Sequence, residues 1–245
     1  MTTFQDKPKA TLEILNILDT IQKLPKTPCS RCGTIYRGER EDFICSPCLE
    51  KEEKLKKEKK LKEERIKILL NLSNIPKRYR NAQFKPKTET QNIVAKYLVK
   101  NFIETPLNHS CDILLFGSIG TGKTYLSSAF AIEAIYKKRY KIRYITEYEL
   151  LLLYFEKDYK SFREFRDSEI LILDEIGKRV LVSWQREQLE EFLSHRYNEM
   201  LPTIYITNLE QNAFKEFLGD RLADRLRENR LKRFAFNGES LRGLI

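Results

Sequence analysis

No stretch of this 245-residue chain stays apolar for the length a bilayer requires, so neither a membrane-spanning segment nor a membrane partner is expected. The opening MTTFQDKPKA lacks the apolar run of a secretory signal. Together these absences predict a cytoplasmic protein. Histidine is scarce, and His109 and His195 both stand far from the cysteine cluster in sequence. Tryptophan is scarcer still, with Trp184 alone. No internal repeat is visible, and the length suits one α/β domain plus something small. Five cysteines are present. In a reducing compartment they are expected as metal ligands or core thiols rather than disulfides.

Charge, by contrast, is abundant and one-sided. Charged residues make up 33% of the chain and the formal net charge is +10. That excess favours a polyanionic partner, or at least steering toward one. Hydrophobic residues, at 41%, suffice for a sizeable core.

The pattern divides the chain in four. Residues 1–24 carry Leu12, Ile14, Leu15, Ile17, Leu18 and Ile21 at helical spacing behind a Thr11 cap. Pro25 and Pro28 end this helix. It is too short to be stable alone, so it packs either on the chain or on a partner. Residues 25–50 hold four cysteines. Residues 51–73 open with KEEKLKKEKKLKEERIK, whose mixed charges at i,i+4 spacing predict a solvated linker helix. Residues 74–245 alternate strands and helices. CDILLFG (111–117), KIRYIT (141–146), EILILDE (169–175) and PTIYITN (202–208) read as strands. TYLSSAFAIEAIYKK (124–138), EYELLLLYFE (147–156) and SWQREQLEEFLSHRYNEM (183–200) read as helices. Short apolar strands separated by helices predict an α/β fold with a parallel sheet between helices.

GSIGTGKT (117–124) satisfies the P-loop pattern, with a strand before it and a helix after it. Gly117, Gly120 and Gly122 let the backbone curl its N–H groups around phosphate oxygens. The helix N-terminus adds partial positive charge. Lys123 is expected to reach the β- and γ-phosphates, and the Thr124 hydroxyl to ligate Mg²⁺. Ser118, Thr121 and Tyr125 complete the nucleotide-binding set. ILILDE (170–175) is the second half of the site. Asp174 emerges at the carboxyl end of a buried strand, where open α/β sheets bind ligands. It is expected to hold the water shell of Mg²⁺, while Glu175 polarises the attacking water. ATP hydrolysis by the chain itself is therefore expected. Asn208, at the tip of the strand beside the P-loop, is placed to reach the γ-phosphate or the lytic water, with Thr207 as the adjacent candidate. Arg221 and Arg225 share a helix face, and spacing alone reads them as surface ion-pair residues.

Cys29-x2-Cys32 and Cys45-x2-Cys48, twelve residues apart, fit a Cys₄ Zn²⁺ site. So small a segment cannot build a core, and the metal would supply much of its folding energy. Arg31, Arg37 and Arg40 are balanced by Glu39, Glu41 and Asp42. This balance favours protein binding over nucleic-acid binding for the module, without deciding between them. Cys111, at a strand start, is expected as a core thiol.

The ordered motifs NIPKRYRNAQF (74–84), GSIGTGKT, ILILDEIG (170–177), IYITN (204–208), GDRLADRLRE (219–228) and FNGESLRG (236–243) resemble the DnaC/DnaI-type replicative helicase loaders and the related IstB-type transposition ATPases. Both belong to the AAA+ class. The likeness covers roughly residues 75–245. It implies an AAA+ core, self-assembly into a ring or spiral, a sensor role for Asn208, and an arginine finger acting in trans at Arg225, with Arg221 as the lesser candidate. Beyond Arg233 no separate helical lid is evident, and a terminal strand or coil is expected. Lys178, Arg179 and Trp184, in GKRVLVSW (177–184), are placed on a loop near the expected pore, where cation and aromatic together can grip single-stranded DNA. Equally, Trp184 could cap the helix that follows. YFEKDYKSFREFR (154–166) is expected as a second contact or as an amphipathic surface against a neighbour.

These readings converge on an ATP-dependent loader that places a replicative DNA helicase on single-stranded DNA, with ATP, Mg²⁺ and Zn²⁺ as cofactors. Two other readings stay open. One is a transposition helper that binds duplex DNA and a transposase. The other is a nucleotide-gated adaptor with negligible turnover.

Overall fold

The computed structural model describes residues 19–37, 44–227 and 231–241. The N-terminal amphipathic helix, with Thr11, Leu12, Ile14, Leu15, Ile17 and Leu18, lies outside them, although residues 19–23 are helical. Arg40 and its acidic neighbours at 39, 41 and 42 also lie outside. The chain divides into two compact units between Glu63 and Glu64.

In the first unit, β1 (Lys26–Pro28) and β2 (Ile35–Arg37) pair antiparallel, with Thr27 opposite Tyr36. The turn between them carries Cys29 and Cys32. The helix α1 (Ser46–Leu72) starts beside Cys45 and runs through the boundary. Its only buried residue is Leu69, and Leu55 and Leu61 are exposed. The sequence dictates this, because charged side chains face water around most of its circumference. Exposed pairs such as Lys59–Glu63 contribute only about 0.3–0.5 kcal/mol each.

The second unit is built on a five-stranded parallel sheet in the order β4-β5-β6-β3-β7. The strands are β3 (Asp112–Gly117), β4 (Ile142–Thr146), β5 (Ile170–Asp174), β6 (Thr203–Ile206) and β7 (Leu231–Phe236). Helices cover both faces, and this is why the central strands read as unbroken apolar runs. Ile113 and Leu115 face a layer that includes Val94, Leu98, Phe102, Phe130 and Ile135. Leu114 and Phe116 face the opposite layer, with Leu150, Phe162, Leu189, Phe192 and Phe214. The first layer comes from α2 (Glu89–Leu98), the π-helical turn Val99–Glu104 and α3 (Lys123–Lys138). The second comes from α4 (Glu147–Phe155), α5 (Tyr159–Arg166), α6 (Ser183–Asn198) and α7 (Gln211–Arg227). Each fully buried Leu or Ile contributes on the order of 1.5–3 kcal/mol.

Local sequence sets the element ends. Thr88 caps α2 by accepting the Gln91 N–H. Thr146 and Glu149 form a reciprocal capping box on α4, and Asp158 caps α5. Gly219, at φ 77°, kinks α7.

The terminal stretch expected as strand or coil is a strand, β7, paired along its whole length with β3, Asp112 opposite Leu231 through Gly117 opposite Phe236. Two sequence expectations change. Trp184 is not on a loop but in the first turn of α6. The 154–166 segment does not offer an unbroken amphipathic surface to a neighbour, because Phe162 and Phe165 of α5 are buried in the core.

Candidate nucleotide site and metal centre

The P-loop joins β3 to α3 and turns through left-handed conformations at Gly120 (φ 84°) and Gly122 (φ 89°). Gly122 has a second reason to be glycine. A Cβ there would stand 2.5 Å from Gln91 Nε2. Gln91 is buried in α2, donates to the Thr121 carbonyl at 3.0 Å and accepts the Lys87 N–H at 2.9 Å. It braces the loop from behind. On another side the chain after β7 does the same. Ser118 N–H donates to the Phe236 carbonyl, and Leu241 N–H to the Gly120 carbonyl, both at 3.0 Å.

A cleft of about 480 Å³ opens here. Gly120, Thr121, Gly122, Lys123, Thr124 and Tyr125 line it, together with Asp174, Glu175, Thr207 and Asn208. Sequence reasoning had singled out each of these. The cleft also takes Arg78, Tyr79, Lys87, Gln91, Ile119 and Leu241, which it had not. Tyr79 packs edge-on to Tyr125, whose hydroxyl accepts the Gln83 N–H.

Lys123 is buried and donates to the Gly117 and Ser118 carbonyls at 2.8 and 2.7 Å. Burial lowers its ammonium to about 8, against the pull of Asp174. The Asp174 carboxylate is buried and fully engaged. Oδ1 accepts the Glu175 N–H at 2.7 Å, and Oδ2 accepts the Thr124 hydroxyl at 2.8 Å and the Tyr144 hydroxyl at 2.6 Å. Burial raises its pKa while these three hydrogen bonds oppose the rise. Glu175 stands at φ 56°, an uncommon conformation for a non-glycine residue and one concentrated at functional sites. Its carboxylate pairs with Lys178 Nζ at 2.9 Å. The turn after β5 is held by Glu147, whose carboxylate accepts the Gly177 N–H. Burial raises Glu147 to about 7. The Thr207 hydroxyl donates to the Ile176 carbonyl at 2.7 Å, so Thr207 secures the loop while Asn208 lines the cleft beside it.

These groups suit a magnesium nucleotide. A buried ammonium, a hydroxyl and a carboxylate converge at the N-terminus of a helix, where phosphate is favoured.

Two sets of predicted residues stand apart from the cleft of their own chain. Arg225 donates to Ser194 Oγ at 2.6 Å and lies over the Tyr197 ring, and Arg221 pairs with Glu190. Arg179 stacks on Tyr148 at 4.1 Å. Trp184 stacks on Tyr154 and Phe155 at 6.3 and 6.1 Å and keeps 37% of its surface exposed.

In the first unit the four thiol sulfurs lie within 4.8 Å of one another. All are free. Cys29 Sγ accepts the N–H groups of Cys45 and Arg31. The Cys45 N–H is the chief cause that holds its thiol down at about 6. Cys48, beside the Cys45 and Cys32 thiols, is pushed up to about 12. Four thiolates this close cannot all ionise without a cation, and a set of four soft sulfur ligands suits Zn²⁺. The chain is expected to carry about one Zn²⁺ when purified without chelator, and Cys45→Ser to lose it. Elemental analysis checks this, and a metal-free wild type removes the zinc reading. Cys111 is half-buried, its N–H donating to Asn101 Oδ1 at 3.1 Å.

A parallel sheet with a P-loop after one strand and an acidic pair after its second neighbour defines a P-loop nucleotide-binding protein. Residues 44–242 match the family of IstB-like ATP binding proteins, and the chain belongs to that family. It is 30% identical to the ATP-binding protein of insertion sequence IS5376 from Geobacillus stearothermophilus, over 72% of this chain and 73% of that one. It is 21% identical to the replicative helicase loader DnaC of Escherichia coli K12, over 94% of this chain and 97% of that one. The crystal structure of the DnaC helicase loader superposes with a TM-score of 0.58 at 27% identity, covering 66% of this chain and 100% of that one. Among the described residues, no helix is long and apolar enough to cross a membrane.

Proposed function

We propose that this chain is an ATP-hydrolysing loader that binds a replicative DNA helicase and places it on single-stranded DNA. The observation that carries the hydrolytic part is the convergence of Lys123, Thr124, Asp174, Glu175 and Asn208 on one cleft. Lys123 contacts the β- and γ-phosphates. Thr124 and Asp174 hold Mg²⁺, and Glu175 orients and polarises the attacking water. Mg²⁺ held there would neutralise charge that develops on the phosphate oxygens. Asn208 bonds the γ-phosphate or that water. Arg225 acts from a neighbouring subunit of a ring or spiral, in keeping with its place outside the lining of its own cleft.

The similarity to DnaC, which runs through nearly the whole chain, supports loading. The chain's positive charge and the exposed rings of Trp184 and Phe155 suit single strands, which are gripped by charge and stacking. Lys178 ties the two activities together. It pairs with Glu175, so a DNA phosphate that draws Lys178 away frees the carboxylate for water.

The test is helicase assembly on single-stranded DNA in the presence of ATP, with the intact chain and with Trp184→Ala. Wild type is expected to co-purify with its cognate helicase and to bind single strands. Trp184→Ala is expected to bind them roughly 5- to 100-fold more weakly, as loss of one stacked base implies. No helicase binding by the intact chain sinks the loader reading. The IS5376 relative supports the transposition-helper alternative, and a preference for long duplex over single strands would put that reading first.

A further inference from the structure

We propose that Tyr144 is a positioning residue for Asp174, holding its carboxylate in the orientation that receives Mg²⁺. This rests on the ATPase reading of the cleft and adds a residue to it. Tyr144 is on β4, the edge strand, opposite Ile172 of β5. Its ring is buried. Its hydroxyl donates to Asp174 Oδ2 at 2.6 Å, the shortest of the three hydrogen bonds on that carboxylate.

The other two bonds cannot do this work alone. The Glu175 N–H engages only Oδ1. The Thr124 hydroxyl engages Oδ2, but in the proposed site Thr124 would itself be a ligand of Mg²⁺. Tyr144 alone fixes Oδ2 from outside the metal's own ligands. Its backbone is anchored on the opposite side. The Tyr144 N–H donates to the Ser73 carbonyl at 2.7 Å, and the neighbouring Arg143 guanidinium to the Leu72 carbonyl at 2.6 Å. The strand that carries the phenol is thus tied to the end of α1, and the carboxylate inherits that rigidity. Partners of this kind, one bond removed from a metal, commonly set its affinity.

Tyr144→Phe keeps the ring that fills the buried space and removes only the donor. The measurement is binding of a fluorescent ATP analogue, first in EDTA and then across a Mg²⁺ titration, followed by steady-state hydrolysis. Metal-free affinity is expected to stay at the wild-type value, which reports an intact cleft. The Mg²⁺ concentration for half-maximal hydrolysis is expected to rise by about 10-fold or more, and saturating Mg²⁺ to restore most of the turnover. If the wild type needs Mg²⁺ and Tyr144→Phe needs no more of it, the positioning role is overturned alone. If the wild type itself shows no Mg²⁺ dependence, the ATPase reading falls and the role of Tyr144 falls with it. If Tyr144→Phe loses metal-free affinity as well, Tyr144 is a packing residue and the proposal is wrong.

Discussion

Glu175→Gln is expected to bind ATP as the wild type does and to hydrolyse it at least about 100-fold more slowly, the usual worth of a positioned base. Lys123→Ala is expected to fail earlier, at binding, with affinity lower by roughly 10- to 100-fold, as removal of a charge-assisted hydrogen bond implies. The two variants separate the roles because the residues reach the cleft from different strands. Lys123 opens α3 behind β3, and Glu175 follows β5. Glu175 also leaves the phosphate loop untouched, since its side chain pairs outward with Lys178. Binding and single-turnover hydrolysis, with and without single-stranded DNA, provide the check. Equal turnover by wild type and Glu175→Gln would mean that nucleotide only gates assembly, and the adaptor reading would replace catalysis.

Arg196→Met is expected to cost about 3–5 kcal/mol, because several buried acceptors lose one charged donor at once. A melting temperature lower by roughly 10 °C would follow for a domain of this size. Arg196 sits in the last turn of α6 and is 1% exposed. Nε donates to Thr203 Oγ1 at 3.0 Å, Nη1 to the Arg166 and Ser168 carbonyls at 2.6 and 2.9 Å, and Nη2 to the Pro202 carbonyl at 2.8 Å. One planar fork therefore satisfies the end of α5 and the entries to β5 and β6. Burial lowers its pKa to about 10, which leaves it charged at neutral pH. Methionine fills the volume and takes the charged donor from the Arg166 and Ser168 carbonyls, each then costing the desolvation of an unmet acceptor, while the Pro202 carbonyl keeps the Leu171 N–H. Arg196→Lys, with a charge but no fork, is expected to recover only part of the loss. A melting curve for Arg196→Met that overlays the wild type would remove this account.

Neither Arg196 nor Tyr144 was legible beforehand, and the reason is the same for both. In the string, Arg196 is one basic residue in a charged helix, and Tyr144 is one aromatic in a strand. A decisive partner of each lies 30 residues away in the chain, at Arg166 and at Asp174. The P-loop was legible because its function needs contiguous residues, GSIGTGKT, whose backbone itself makes the cradle. The cysteine cluster was legible for a related reason. Each C-x-x-C turn places two sulfurs locally, and only the pairing of the two turns was left to the fold.

Trp184 marks the boundary between the two kinds of information. Its composition as a single aromatic beside Lys178 and Arg179 suggested a DNA contact, and its helix was expected from Ser183 onward. Only packing decided that its ring would stack on Tyr154 and Phe155 and still keep a third of its surface outside.

By itself, the sequence determined the strand and helix order, the apolar strands of a buried parallel sheet, the phosphate loop with its acidic partner, and the metal-ligand spacing. Each of these is written in neighbouring residues or in a short period. The tertiary structure decided the strand order, the placement of β7 beside the phosphate loop, the bracing of that loop by Gln91 and Leu241, and the hold of Tyr144 on Asp174. Those depend on which residues distant in the chain are brought within hydrogen-bond reach, and the whole core must be packed before any of them is defined.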